Sequence, residues 1–279
     1  REASGSLRGL DQVEDERVKD RFLIRSQMEE AITSSQLEGA GTTLAVAKDM
    51  LRSGRKPRDY SERMIYNNYQ AMQALRRWRD QPLTPARVFE IHRLLTLDTL
   101  DVPGAAGRFR KASENIVVQD EEGRILHEPP RASELPERMQ RLCDFANGSN
   151  DAGFVHPVIR AIAIHFQIGY DHPFYDGNGR TARTLFYWSM LRSGYWLAEF
   201  LSVSSVFKRA KGQYLRAYLY TETDESDLGY FVDHHLDAII QAIEGLHGYL
   251  KRKADERDRA HTLLKPSSRL GASLNHRQR

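Results

Sequence analysis

The stretch HPFYDGNGRTAR, residues 172–183, decides the fold because of what lies on either side of it. The segment 157–170 before it and the aromatic-rich segment 181–193 after it both repeat apolar residues every three or four positions. That spacing is typical of helices, whereas strands alternate every two residues. The sequence therefore predicts two buried helices joined by a glycine-containing loop.

The helical spacing recurs along most of the chain. Further helices are predicted at residues 14–38, 59–78, 84–96 and 132–146, and after Ser202 there are about three more helical patterns, the last at about 230–251. Between Gly107 and Pro130, two apolar runs flank an acidic turn with a glycine, which predicts a β-hairpin. The predicted fold class is all-α, a helical bundle with one small β-hairpin.

Length and composition limit the classes of function. The chain has 279 residues, of which 40% are hydrophobic, enough for one large domain with or without appendages. Its 41 basic and 38 acidic residues nearly balance, so charge alone predicts no nucleic-acid partner. Cys143 is the only cysteine, which excludes an internal disulfide and favours a reducing, cytoplasmic setting. No apolar run approaches the roughly 20 residues of a membrane span, so no membrane partner is expected.

The glycines and arginines of the loop suit phosphate binding. Gly177 and Gly179 let the backbone approach a ligand closely, and a turn that opens a helix presents free N–H groups and the positive end of the helix dipole. Arg180 and Arg183 are three positions apart, so both are expected on one helix face, where they can bind the same polyphosphate. These residues predict an anion site.

Two other side chains of the loop suit catalysis. Asp176 offers a hard oxygen ligand for Mg²⁺, the ion that accompanies ATP. His172 has an ordinary pKa of about 6.5 and can accept a proton from an attacking hydroxyl at neutral pH. The loop thus combines a base, a metal ligand and an anion site.

Two rival loop types fail on their spacing. An EF-hand with Gly179 as its invariant glycine would place Phe174 and Leu185 at the two loop positions that require acidic residues. A Walker-type phosphate loop needs Gly-Lys-Ser/Thr after a strand, and this loop has none.

Residues 172–183 resemble the signature of the Fic family, His-x-Phe-x-(Asp/Glu)-Gly-Asn-Gly-Arg-x-x-Arg, without a mismatch. The resemblance implies a Fic-type all-helical bundle in which the hairpin forms a flap and Phe174 anchors the loop in the core. The roles that it implies are general base for His172, Mg²⁺ ligand for Asp176, anion hole for Gly177 and Gly179, polar phosphate contact for Asn178, and phosphate clamps for Arg180 and Arg183.

The reaction that the resemblance implies is transfer of AMP. A Ser, Thr or Tyr hydroxyl of a protein target attacks the α-phosphorus of ATP, and pyrophosphate leaves; ATP is the substrate and Mg²⁺ the cofactor. The related death-on-curing kinases transfer phosphate and depart from Gly-Asn-Gly-Arg in this loop, so the intact residues 177–180 favour AMP transfer. Two alternatives stay open: a regulatory nucleotide- or DNA-binding Fic module with little catalysis, and removal of AMP at the same site.

A second family pattern lies far upstream. Residues 34–39, SSQLEG, resemble the inhibitory pattern (Ser/Thr)-x-x-x-Glu-(Gly/Asn), placed before the core as in the class with an N-terminal inhibitory helix. The resemblance implies that Ser34 and Glu38 are inhibitory. Glu38 would pair with Arg183 and occupy the place of the ATP γ-phosphate.

Several residues outside these motifs receive expectations. The flap segment corresponds loosely to a target-docking strand formed by Asn115, Ile116, Val117 and Val118. For the adenine contact we choose Tyr214, with Tyr218 nearby, while Thr221 stands near the place of the family's usual asparagine. His165 lies on the apolar face of the helix before the loop and is expected to be a packed core histidine. His234 and His235 are expected to be surface or packing residues, since no carboxylate or cysteine cluster of metal spacing joins them.

We expect three regions along the chain. These are an N-terminal helical region at 1–50 with the inhibitory motif at 34–39, a Fic core at 51–252 with the flap at 107–130, and a tail at 253–279. The last residues, 274–279, could begin a winged-helix module, so DNA is a partner only if such a module exists in the full-length protein. By similarity alone, self-modification and a homodimer are open.

Overall fold

The computed structural model describes residues 16–119, 122–149 and 153–264. In these ranges the chain forms ten helices and one antiparallel pair of strands. In chain order, the elements are α1 (Glu16–Leu37), α2 (Leu44–Ser53), α3 (Tyr60–Trp78), α4 (Pro85–Thr96), β1 (Val118–Gln119), β2 (Ile125–His127), α5 (Leu135–Asn147), α6 (Pro157–Asp171), α7 (Asn178–Arg192), α8 (Val203–Arg209), α9 (Lys211–Thr223) and α10 (Gly229–Leu264).

Helices α6 and α7 form the centre of the bundle and pack along each other. Helix α7 is buried on all sides, including Leu185, Trp188 and Met190, as expected of a helix enclosed by other helices. Helices α3 and α4 pack on α7, and α10 packs on α6, α8 and α9. The loop between α6 and α7 is thereby held on two of the most buried helices of the described bundle.

Helix α1 lies on α3 and α8. Glu30 in α1 is buried and accepts hydrogen bonds from the Ser204 N–H at 3.0 Å, from the Ser202 hydroxyl at 3.1 Å and from the Ser204 hydroxyl. Asn68 in α3 donates to the Ala31 carbonyl at 3.3 Å. Since a buried carboxylate is costly unless it is hydrogen-bonded, these contacts fix how α1 is seated.

The all-α class with one small hairpin is confirmed, and the differences are local. Helix α7 begins at Asn178 rather than Thr181, because Gly177 serves as its N-cap with φ +83°. Helix α2 had not been predicted, and α10 continues past Lys251 to Leu264 through exposed Lys, Arg, Ala and Glu residues of high helix propensity.

The hairpin is shorter than its apolar pattern predicted. Strand β1 begins only at Val118, and an irregular register follows directly after that residue. The turn at 120–121 and the tail at 274–279 lie outside the described residues. Among the helices of the described part of the chain, none has an apolar stretch long enough to cross a bilayer.

Candidate active site

His172 caps the C-terminal end of α6 in the left-handed conformation, with φ +42°. Its N–H donates to the Ile168 carbonyl at 3.1 Å, and Nδ1 lies 3.0 Å from the Gly169 carbonyl oxygen. Because a carbonyl only accepts, Nδ1 carries the proton and Nε2 keeps its lone pair. Burial lowers the pKa of His172, so the neutral form that can act as a base is favoured.

Arg110 holds the backbone on either side of His172, a role that sequence reasoning missed. Its Nε donates to the His172 carbonyl at 2.8 Å, and its own N–H donates to the Pro173 carbonyl at 2.8 Å. Its Nη2 donates to the Pro130 carbonyl at the far end of the flap. Arg110 therefore ties both ends of the segment 107–130 to the start of the loop.

Asn178 closes the loop on itself. Its Oδ1 accepts from the Phe174 N–H at 2.9 Å, and its Nδ2 donates to the Phe174 carbonyl at 2.9 Å. This differs from the phosphate contact that the resemblance implies, because both polar groups of the side chain are already used inside the loop. Phe174 is fully buried and stacks on His92 with ring centroids 3.9 Å apart.

His92 supports the loop from α4 and had not been singled out in the sequence. The Gly107 N–H donates to its Nδ1 at 2.8 Å, so Nε2 carries the proton and donates to the Asp176 carbonyl at 2.8 Å. Burial lowers the pKa of His92 to about 4, which keeps the ring neutral. Its one signal in the sequence is a polar residue at an apolar position of the α4 pattern.

The N-terminus of α7 presents free backbone N–H groups, as every helix start does. Gly177 precedes it, and a Cβ at that position would lie 2.7 Å from the Thr96 methyl group. A Cβ at Gly179 would overlap with the carboxylate of Glu38. The carboxylate of Glu38 thus lies directly against the first turn of α7, at the end of the helix that attracts anions.

Arg183 binds Ser34 and Glu38 through three hydrogen bonds. Its Nη2 donates to Glu38 Oε1 at 2.7 Å and to the Ser34 carbonyl at 2.9 Å, and its Nε donates to the Ser34 hydroxyl at 2.8 Å. Only 3% of the Arg183 side chain is exposed, against 30% for Glu38. Burial acts to raise the pKa of Glu38, but the charge of Arg183 and, less strongly, of Arg180 holds it below its usual value.

Arg180 points to different partners from Arg183. It is fully buried and donates to the Leu95 carbonyl at 3.1 Å and to Asp176 Oδ2 at 3.0 Å. Within the protein, the two arginines therefore bind different groups. Arg180 instead joins α4 to the acidic residue of the loop.

Asp176 fits the requirement for Mg²⁺ that arrives with a nucleotide. Its side chain is 42% exposed, so its carboxylate is open to a ligand. No group of three or more His, Cys, Asp or Glu side chains that could hold a metal occurs within the described ranges. Magnesium bound through phosphate oxygens and water needs only one or two carboxylates, and Asp176 can supply one.

Tyr214, chosen for the adenine contact, lies in the core. It is 6% exposed, its ring stacks on Phe207 at a centroid distance of 4.5 Å, and its hydroxyl is 2.8 Å from His165 Nε2. His165 Nδ1 in turn is 3.0 Å from His235 Nε2. Both histidines are buried packing residues, and Tyr214 presents no free ring face on the side of Phe207.

The flap residues stand beside the loop with part of their surface free. Asn115 is exposed and left-handed with φ +46°, and residues 116–118 are half-buried. Since β1 begins at Val118, Asn115, Ile116 and Val117 precede the paired part of the hairpin.

The helical bundle and its glycine- and arginine-containing loop agree with a match to a known protein family. Residues 82–190 match the model of the Fic/DOC family, a range that includes the loop. The chain therefore contains a Fic domain.

The chain is similar to curated proteins named protein adenylyltransferase Fic. The chain is 34% identical over 117 residues to protein adenylyltransferase Fic of Nematostella vectensis, covering 42% of this chain and 25% of the relative. It is 31% identical over 170 residues to the protein of that name in Drosophila willistoni, covering 57% and 31%. The matches thus span about a quarter to a third of these relatives' length.

Solved structures establish the fold. A Fic domain-containing signaling protein from Bacteroides thetaiotaomicron superposes with a TM-score of 0.71 at 21% identity, covering 87% of this chain and 94% of that one. A Fic family protein from Desulfovibrio desulfuricans superposes with a TM-score of 0.67 at 21% identity, covering 90% and 72%. The chain has the Fic fold.

Proposed function

We propose that this protein transfers AMP from ATP to a Ser, Thr or Tyr hydroxyl of a protein target and that Glu38 inhibits the transfer. One observation carries the proposal: a carboxylate, Glu38, is bound by Arg183 against the first turn of α7. An anion is held at the place where the loop is built to receive one. The names of the curated relatives support the same reaction class.

His172 is the proposed general base. Its Nδ1 proton is fixed on the Gly169 carbonyl, so Nε2 is the atom that takes the proton from the attacking hydroxyl. The hydroxyl oxygen then forms a bond to the α-phosphorus as the bond to the bridging oxygen breaks, and pyrophosphate leaves with the electron pair. Arg110 and the left-handed backbone hold the imidazole in place for this step.

The anion site is proposed to stabilise the charge on the phosphates. The N–H groups at the start of α7 and the guanidinium of Arg183 supply hydrogen bonds and positive charge, which act strongly in a site that excludes water. Asp176 would hold Mg²⁺, and that ion when bound neutralises phosphate charge. Arg180 orients Asp176, and its role as a phosphate clamp stays a proposal.

Inhibition follows from competition for Arg183. While Glu38 accepts its hydrogen bond, Arg183 is not free for the γ-phosphate, so ATP does not bind in the geometry needed for in-line attack. Ser34 strengthens the closed state with two further hydrogen bonds. Movement of residues 34–38 away from α7 would release the site.

The remaining proposals concern the docking of the target, the location, the division of the chain and self-modification. A target segment would add to the flap at residues 115–118, of which 115–117 precede the paired strands. We retain as proposals a cytoplasmic location, a division into an inhibitory region at 1–50, a core at 51–252 and a tail at 253–279, and self-modification.

Removal of AMP is a second candidate activity, favoured by the position of Glu38. Its carboxylate is partly exposed, and its charge acts on His172. A water held by Glu38 could attack the AMP–protein bond. Release of AMP from a modified target by the wild-type protein, and not by Glu38→Gly, is the result that would support this activity.

The test uses ATP labelled in two positions with the Glu38→Gly protein, Mg²⁺ and lysate proteins. A label that reaches a protein from α-labelled but not from γ-labelled ATP supports AMP transfer. The Glu38→Gly/His172→Ala double variant should show no such labelling. Label from γ-labelled ATP would indicate a kinase. No label from either would contradict the proposal and favour a regulatory binding module.

A further inference from the structure

His127, the last residue of β2, lies between two hydrogen-bond acceptors. Its Nδ1 is 2.7 Å from Glu222 Oε2 in α9, and its Nε2 is 2.6 Å from the Tyr170 carbonyl oxygen in α6. The carbonyl and an ionised carboxylate can only accept, so both ring nitrogens have to donate. A neutral imidazole has a single N–H, and these contacts therefore describe an imidazolium ion.

The imidazolium completes a cap on the helix that carries His172. The last carbonyls of a helix have no partner within it and interact favourably with cations. At the end of α6, the Tyr170 carbonyl is bound by His127, whereas the Asp171 and His172 carbonyls are bound by Arg110 at 3.4 Å and 2.8 Å. Two cations, Arg110 from one end of the flap and His127 from the other, thus attach the flap to α6 beside the proposed base His172.

His127 is the cation of this pair that can lose its charge near neutral pH, since the guanidinium of Arg110 stays protonated. Without the second proton, one of the two acceptors loses its donor. Glu222 would then face a lone pair, or Tyr170 would have an unpaired carbonyl. Either loss loosens the end of β2 from α6 or α9.

We propose that His127 is a positioning residue for the reaction: as an imidazolium it holds the flap against α6 and α9, and its deprotonation releases the flap and weakens docking of a protein target. The kinetic part of this inference rests on the proposed AMP transfer. The protonation state and its effect on the flap do not.

The charges around His127 set the direction of the pH effect. Burial acts to lower the pKa of His127, but the hydrogen bond to Glu222 and the Tyr170 carbonyl raise it above its ordinary value. The charged or titratable groups nearby are Glu222 from α9, Asp171 and His172 from α6, Arg138 from α5 and Arg110 from the flap. Since the folded pKa is raised, the contact is complete below pH about 6.5 and is lost as pH rises through the folded pKa.

The first test reads the ring directly in the whole chain. Nitrogen NMR of ¹⁵N-histidine-labelled protein, with His127 assigned by its loss in His127→Gln, should show two protonated ring nitrogens at pH 6.5 and a pKa above 6.5. Glu222→Gln should move that pKa downward. A neutral His127 at pH 6.5, or no change in Glu222→Gln, would overturn the proposal.

The second test reads the flap. Hydrogen exchange of residues 122–131, corrected for the intrinsic effect of pH, should show protection that falls about tenfold between pH 6 and pH 9, the loss of one charged hydrogen bond. His127→Gln should show the low protection at both pH values. Equal protection of the wild type at both pH values would contradict the proposal.

The third test joins the flap to the reaction. In the Glu38→Gly background, AMP transfer to lysate proteins should exceed that of the His127→Gln double variant about tenfold at pH 6 and approach it at pH 9. A pH-independent ratio would reject the positioning role. If neither variant transfers AMP, the proposed function fails, while NMR and exchange still decide the state of His127.

Discussion

Arg183 and Glu38 are 145 residues apart in the chain, yet Nη2 of Arg183 donates to Oε1 of Glu38 at 2.7 Å. The contact joins the central helix α7 to the end of the peripheral helix α1. The arginine is almost fully buried, whereas the glutamate is partly exposed. We propose that this contact controls the active site.

Ser34→Ala should partly activate the protein. The change removes the hydrogen bond from Arg183 Nε to the Ser34 hydroxyl and leaves the Glu38 carboxylate in place. Loss of one hydrogen bond to a charged group in the closed state corresponds to about a tenfold rise in basal AMP transfer. The rate of label transfer from α-labelled ATP measures it.

The neighbouring serine provides the control. The Ser35 hydroxyl is equally buried but has no bond to Arg183 among the described contacts: it donates to the Ala31 carbonyl at 2.8 Å and accepts from Asn68 at 3.4 Å. Ser35→Ala should leave the basal rate unchanged. Equal activation by both variants would mean that general loosening of α1, and not the contact with Arg183, controls activity.

Glu30→Ala should unseat α1. The change leaves the Ser202 and Ser204 donors without their buried acceptor, which costs about 3 kcal/mol of unfolding free energy. It should also raise basal AMP transfer, because Glu38 follows at the end of the same helix. Urea unfolding and the label assay measure the two effects.

Glu29→Ala is the matched control for Glu30→Ala. Glu29 is partly exposed and lies 3.8 Å from Lys48, a surface ion pair of little weight. Its replacement should change the unfolding free energy by no more than about 0.5 kcal/mol. A Glu30→Ala protein as stable and as inhibited as this control would contradict the assigned seating of α1.

Asn178→Ala tests whether the side chain closes the loop. Its two hydrogen bonds to Phe174 should be lost at a cost of about 2 kcal/mol, with a large fall in AMP transfer in the Glu38→Gly background. Asn147 makes the same two bonds to Leu83 N–H and carbonyl, at 2.9 and 2.8 Å, away from the site. Asn147→Ala should lose similar stability but keep transfer, and equal loss of transfer in both would show a purely global effect.

Acid sensitivity is expected at the start of α3. Hydrogen bonds from Arg55 to both oxygens of Glu62, at 2.6 and 2.7 Å, lower the pKa of Glu62 to about 2. A lowered carboxyl pKa stabilises the fold above pH about 4.5 and loses that contribution as pH falls toward about 2. Glu62→Gln should therefore be less stable than wild type at pH 7, with the difference shrinking below pH 4.5. A constant difference across this range would argue against the assignment.

The sequence predicts much of this architecture because a helix with a buried face repeats apolar residues every three or four positions. The apolar spacing of α6 and α7, and the loop signature between them, can be recognised in the sequence without tertiary information. The predicted start of α7 is three residues late. Asn178 and Arg180 are polar, so their burial in the first turn of the helix does not show in the apolar pattern. Their burial is possible because each side chain finds partners within the protein.

The supporting residues of the site were less predictable. Three of them, His92, Arg110 and Glu30, bind backbone groups or hydroxyls that come together only in the folded chain. The spacing of residues in the sequence does not predict such partners. The phosphate contact expected of Asn178 came from the family resemblance and not from the local sequence. The structure shows the amide turned inward, where it holds the loop closed.

The most direct measurement is the intact mass of the wild-type, Glu38→Gly and Glu38→Gly/His172→Ala proteins, and of added target proteins, after incubation with ATP and Mg²⁺. We predict a gain of one or more AMP groups with Glu38→Gly, little or none with the wild type, and none with the double variant. Equal gain with wild type and Glu38→Gly would contradict inhibition through the Arg183 contact. No gain with any of them would contradict AMP transfer by this site.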